Sequence, residues 1–94
     1  MTKYAGAQDT YRELVEESNE SWLLGLVAFA VVEEQRVEWM RHYEKSHGAL
    51  PTADQVHGWY EQQPPGALLR AKGTAENALL AYSEQVSAEL DAEY

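Results

Sequence analysis

The chain has 94 residues, a net charge of −9 and no cysteine, and 45% of its residues are hydrophobic. That bounds it to one small domain, 1–94, whose core contributes little net stability, so self-association is a natural supplement. The lack of cysteine excludes disulfides, thiolate metal sites and cysteine nucleophiles. Seven basic residues against sixteen acids exclude the basic stripe that nucleic-acid backbone or anionic lipid requires. The acids gather at the two ends: Glu76, Glu84, Glu89, Asp91 and Glu93 stand in residues 74–94 without a single Lys or Arg. Met1-Thr-Lys-Tyr-Ala-Gly6 has no apolar segment of the kind that begins a signal peptide, and the reading is cytoplasmic.

In chain order, Thr10-Tyr-Arg-Glu13 has the form of a capping box and predicts a first helix over about 10–18, with Tyr11, Leu14 and Val15 on its apolar face. Ser18-Asn-Glu-Ser21 predicts a break. A second helix follows over about 20–47. Its first part, Trp22-Leu-Leu-Gly-Leu-Val-Ala-Phe-Ala-Val-Val32, is uncharged throughout. This is short of the roughly 20 apolar residues that cross a bilayer, yet apolar on every side, which predicts that other helices cover it. Glycine inside a helix costs about 1 kcal/mol relative to alanine, so Gly25 predicts a close approach. Gly48 supplies a left-handed stop.

Thr52 and Gln55 form a second capping box, with Leu50 placed to clamp on Val56, and predict a third helix over about 53–63. Val56, Trp59 and Tyr60 make its buried edge, and Pro64-Pro65 ends it. Pro65 suits the first turn of a fourth helix over about 65–93. Leu68, Leu69, Ala75, Leu79, Tyr82, Val86 and Leu90 form its stripe, with a heptad rhythm from Ala75 to Val86. The expected fold is all-α: two short helices, and two long ones packed antiparallel. The last residues, Leu90-Asp-Ala-Glu-Tyr94, carry no stop signal and place acids where the helix dipole disfavours them. This predicts that the helix continues beyond Tyr94 toward a linker or anchor.

Chemistry-bearing patterns are sparse. Glu44-Lys-Ser-His47 and Asp54-Gln-Val-His57 have the Glu/Asp-x-x-His spacing that helical bundles use for metals. The plainer reading is preferred, because His47 sits at a helix end and an acid such as Asp54 is favoured in a first turn. Glu34, Glu38 and His42 share a helical stripe that could tune a histidine, but nucleophile, oxyanion donors and phosphate loop are all missing, and a solvated charged face accounts for them. No catalytic residue, metal or cofactor is therefore assigned. Of the aromatics Trp22, Phe29, Trp39, Tyr43, Trp59 and Tyr60, most are expected in the core. Trp59 and Tyr60 on the short third helix, with Arg70 and Lys72 flanking a groove, are the candidate interaction residues. Trp22, Gly25, Leu26 and Phe29 are the candidates for core or self-association.

Three segments carry a resemblance: Val27-Ala-Phe-Ala-Val-Val-Glu-Glu-Gln-Arg-Val-Glu-Trp-Met40, His42-Tyr-Glu-Lys-Ser-His-Gly-Ala-Leu-Pro-Thr-Ala-Asp-Gln-Val56 and Ala75-Glu-Asn-Ala-Leu-Leu-Ala-Tyr82. Together they resemble the front half of a group of small uncharacterised bacterial membrane proteins, in which a helical cytoplasmic part precedes a C-terminal hydrophobic anchor. The shared elements are an aromatic-alanine helix, a His-Gly-x-x-Pro-Thr turn and a last helix with spaced alanines. Glu33-Glu34 stands where that pattern has a basic residue, and no anchor lies within the 94 residues. The resemblance implies the soluble part of a membrane-anchored protein and brings no activity with it. The expected function is a non-enzymatic protein-interaction or oligomerisation domain. Its expected partner is a second copy, as a homodimer, or another protein, without nucleic-acid binding or membrane insertion by these residues. The alternatives are an acidic phage-type inhibitor that mimics nucleic acid through helices 1 and 4, and a small-molecule binder with a pocket near Trp59, Arg70 and Lys72.

Overall fold

The computed structural model describes residues 6–93, with side chains to 90. The expectations placed on Met1–Ala5, on Tyr94 and on the side chains of Asp91 and Glu93 lie outside the described residues. Four helices form, α1 (Ala7–Tyr11), α2 (Trp22–His47), α3 (Ala53–Glu61) and α4 (Ala67–Glu93), and no strand forms among the described residues.

The first helix departs from its predicted start. Thr10 does not cap it. The residue is 2% exposed and donates its hydroxyl to the Ala7 carbonyl at 2.9 Å, a local back-bond that satisfies a threonine inside a helix. Gly6 precedes α1, and beyond Tyr11 the chain widens into a π-helical turn, Arg12–Glu16, closed by Glu17 N–H donating to the Arg12 carbonyl at 2.7 Å. Such turns are local irregularities that re-aim a backbone. Here Leu14 is fully buried and its carbonyl lies against Gly25 of α2. The predicted break follows, with the Glu20 amide donating to Ser18 Oγ at 3.1 Å.

α2 stops where expected. Gly48 takes φ 79° and donates its N–H to the Glu44 carbonyl at 2.8 Å. The second capping box also forms: Thr52 N–H donates to Gln55 Oε1 at 2.8 Å, and Gln55 N–H donates to Thr52 Oγ1 at 3.2 Å. Leu50 is exposed, and Pro51 is the buried residue of this connection.

Pro65 lies outside α4, contrary to the predicted start. Pro64–Ala67 is a β-turn in which Ala67 N–H donates to the Pro64 carbonyl at 3.0 Å and Gly66 takes φ 87°. Pro followed by a left-handed Gly is the type II arrangement. It spends both residues on the turn and delays the helix to Ala67.

The long helices are antiparallel. Leu68 shares a cleft with Val32 and Gln35, Ala71 and Ala75 share the core with Ala28, and Lys72 reaches Glu20 at 3.6 Å. α3 meets the other half of α2 through its last residues, with Trp59 against Trp39 and Tyr60 against Glu33. The fold is thus a helical hairpin whose return arm, α3 then α4, is broken at Pro64–Gly66. Leu14 wedges into the junction, completing a core of Leu14, Ala28, Val32, Ala71 and Ala75.

The two arms are staggered. α2 and α4 are each about 40 Å long at 1.5 Å per residue, while the molecule extends 54 Å. Continuing the register from Val32–Leu68 and Ala28–Ala75, α4 passes the start of α2 near Leu79 and overhangs it.

Candidate interaction surface

The stagger decides which apolar residues remain uncovered. At 3.6 residues per turn, Leu68, Ala71, Ala75, Leu79, Tyr82, Val86 and Leu90 lie along one stripe of α4. Ala71 and Ala75 bury their part against α2 and Leu68 and Leu79 are partly covered, whereas Tyr82 is 66% and Leu90 52% exposed and Val86 is half-buried. The same stripe that makes the core runs on past the start of α2, and none of its described residues beyond Ala75 is buried. At the step where α2 begins stand Trp22, 67% exposed, and Leu23, also exposed. Leu69 and Leu80 are exposed on another side of α4.

The small residues of the covered half let α2 and α4 approach closely. Gly25 serves the Arg12–Glu16 turn instead: a Cβ built there would collide with the Leu14 carbonyl oxygen and come within 3.2 Å of its carbon. Gly25 is therefore buried within the single chain. Phe29 is half-buried, edge-on to Tyr11 with ring centres 5.4 Å apart, and Leu26 is also half-buried. Trp22, expected in the core or in self-association, is not part of the core and stands exposed at the start of α2.

Tyr60 also departs from its expected role. It is 4% exposed, too buried to meet a partner, and donates its hydroxyl to Glu33 Oε2 at 2.6 Å. Arg36 Nε donates to the same oxygen at 3.1 Å. Burial, followed by the hydrogen bond to Glu33 and its negative charge, raises the Tyr60 pKa well above the usual 10, with Arg36 opposing. Trp59 is half-buried between Trp39, stacked at 6.1 Å, and Tyr60, edge-on at 5.1 Å. Among the described residues the exposed aromatics are instead Trp22 and Tyr82. Arg70 is exposed and Lys72 is engaged with Glu20.

A cleft of about 400 Å³ opens between Thr10, Val32 and Gln35 on one side and the Pro64–Gly66 turn on the other. Trp59, Arg70 and Lys72, expected around a pocket, do not line it; Lys72 borders a smaller hollow beside Leu14 and Leu69. The metal-spaced pairs do not converge. His47 stacks on Tyr43 with its Nδ1 3.1 Å from the Tyr43 carbonyl, His57 lies 2.6 Å from Glu61, and no three His, Asp or Glu gather among the described residues. No helix among them is long and apolar enough to cross a membrane.

No protein family, curated protein or solved structure matches the chain.

Tyr82, Val86 and Leu90, which the sequence places on one apolar stripe with Ala75, are not among its candidate interaction residues. The available signal was length. A 27-residue α4 outruns the part of α2 left free once α3 has taken the other end.

Proposed function

We propose that the protein is a non-enzymatic helical interaction and oligomerisation domain that docks through the overhanging half of α4. One observation carries this reading: the apolar stripe of the core continues over Tyr82, Val86 and Leu90, where Tyr82 and Leu90 are exposed and Val86 is half-buried. Exposed apolar rows at helical spacing are how helices recognise one another. The cytoplasmic setting, and the place of the domain as the soluble part of a membrane-anchored bacterial protein, belong to the same proposal and rest on the resemblance described above.

Photo-crosslinking residues placed at Tyr82, Val86 and Leu90, with Glu84 on the opposite side of the helix as control, test the reading in cells. Covalent adducts at the three stripe positions and none at Glu84 support it. Their absence at all four overturns it. A second reading, small-molecule binding, is favoured by the cleft at the Pro64–Gly66 turn, whose volume is in the range of ligand sites. Native mass spectrometry of the purified protein, with and without a Leu68→Trp block, tests it: a bound mass that the block removes supports it, and bare protein overturns it.

A further inference from the structure

The residues around the cleft at the Pro64–Gly66 turn narrow what it can hold. We infer that it takes a small organic cation, an ammonium group carried on an apolar body. This rests on the small-molecule reading above and adds the chemical class of the ligand.

The apolar body of such a ligand meets Val32 and Leu68 from the two long helices, together with Pro64 and Pro65. Contact with these residues removes apolar surface from water, and it leaves the orientation to the polar groups.

Those polar groups are rich in acceptors. Among the described residues that line the cleft, Glu61 alone is charged, and it is an acid. His57 Nε2 meets its Oε1 at 2.6 Å, which leaves Oε2 open. The main chain adds to this. In a continuing helix the N–H of residue 65 would close on the Glu61 carbonyl, but proline has none. The Thr10 hydroxyl donates its proton to the Ala7 carbonyl at 2.9 Å, so toward the cleft it can only accept. Gln63 commits Nε2 to the Trp59 carbonyl at 3.0 Å and keeps Oε1 as an acceptor.

Donors are fewer. Ala67 N–H is taken by the Pro64 carbonyl and Arg70 N–H by the Gly66 carbonyl, which leaves the N–H groups of Gly66 and Leu68 on that wall. No Lys, Arg or His among the described residues lines the cleft. Arg36, beside Gln35 in sequence, is turned to Glu33 and Met40, and Lys72 reaches Glu20. An anion would thus meet a carboxylate without a basic side chain to offset it. An ammonium gains a charge-assisted hydrogen bond there, and the net charge of −9 draws it in.

Amide NMR of the intact chain with three probes of similar shape tests this: cyclohexylmethylammonium, cyclohexylmethanol and cyclohexanecarboxylate. The ammonium should bind tightest and shift the amides of Gln35, Gln63 and Leu68 saturably. Glu61→Gln keeps the shape and removes the charge. It should weaken the ammonium about fivefold, as a charged hydrogen bond becomes a neutral one, and leave the alcohol unchanged. Three results would each overturn the cation: an alcohol that binds as tightly, a carboxylate that binds more tightly through the Gly66 and Leu68 amides, or an ammonium indifferent to Glu61→Gln. The cleft reading would survive them, because each still seats a ligand beside Leu68. Without a saturable shift from any probe the cation falls too. Native mass spectrometry then decides the cleft reading separately: a bound mass that Leu68→Trp removes keeps it, and bare protein removes both.

Discussion

Two single residues set the tolerance of the fold. Gly25 lies where the Leu14 carbonyl touches α2, so any side chain must push the π-helical turn away. Gly25→Ala gains helix propensity but overpacks backbone against backbone, and a net loss of about 1–3 kcal/mol is expected in urea denaturation. An unchanged or raised midpoint would mean that the turn yields freely. Tyr60 offers a second test. The folded state holds the Tyr60 proton more tightly than the unfolded chain does, whose tyrosines titrate near 10. The contribution of the neutral phenol is thus complete below pH 10 and is lost as pH rises beyond it. Tyr60→Phe should cost about 1–2 kcal/mol at neutral pH through the lost bond to Glu33, and stability should then fall less between pH 10 and 11. Equal alkaline loss in both proteins would count against the Tyr60–Glu33 pair. Gly25 was legible in the sequence because a costly residue in an apolar run signals contact. The Tyr60–Glu33 bond was not, since the partners lie 27 positions apart in sequence and no local rule pairs them.

At the scale of elements, boundaries are set by backbone chemistry more than by apolar pattern. Gly48, the Thr52–Gln55 box and the Pro64–Pro65 break act as their residue types dictate and were readable in advance. Thr10 and Pro65 were misread for a shared reason, in that each type has two helical uses. Threonine caps or back-bonds, and proline opens a helix or the turn before it. Burial decides the first and Gly66 the second, because a left-handed residue after Pro65 commits both to a turn. Thr52→Ala should therefore lower stability by about 0.5–2 kcal/mol, whereas Thr10→Ser, which keeps the hydroxyl and removes only a methyl, should cost less than Thr10→Val, which strips the Ala7 carbonyl of its donor. Thermal melts of the three variants check this order, and a harmless Thr10→Val would show that the back-bond is dispensable.

At the scale of the whole molecule, the outcome is a stagger. The sequence contains two long helices of matched length, which suggests flush packing. The flaw in that inference is α3: it claims the second half of α2 through Trp59, Tyr60 and the bond to Glu33, so α4 begins only halfway along α2 and must overrun it. None of the described residues beyond Ala75 is buried. The overhang should accordingly be an appendage to the folding unit of the single chain, held by its own helical bonds. Removing residues 84–94 is expected to leave the urea midpoint at low micromolar concentration within about 0.5 kcal/mol of the intact chain, as for changes away from buried features. The intact chain should be the more stable of the two only as concentration rises, because association stabilises by mass action. A truncated chain that melts early at every concentration would show that the overhang closes on its own domain, and the uncovered stripe would then lose its meaning as a docking surface.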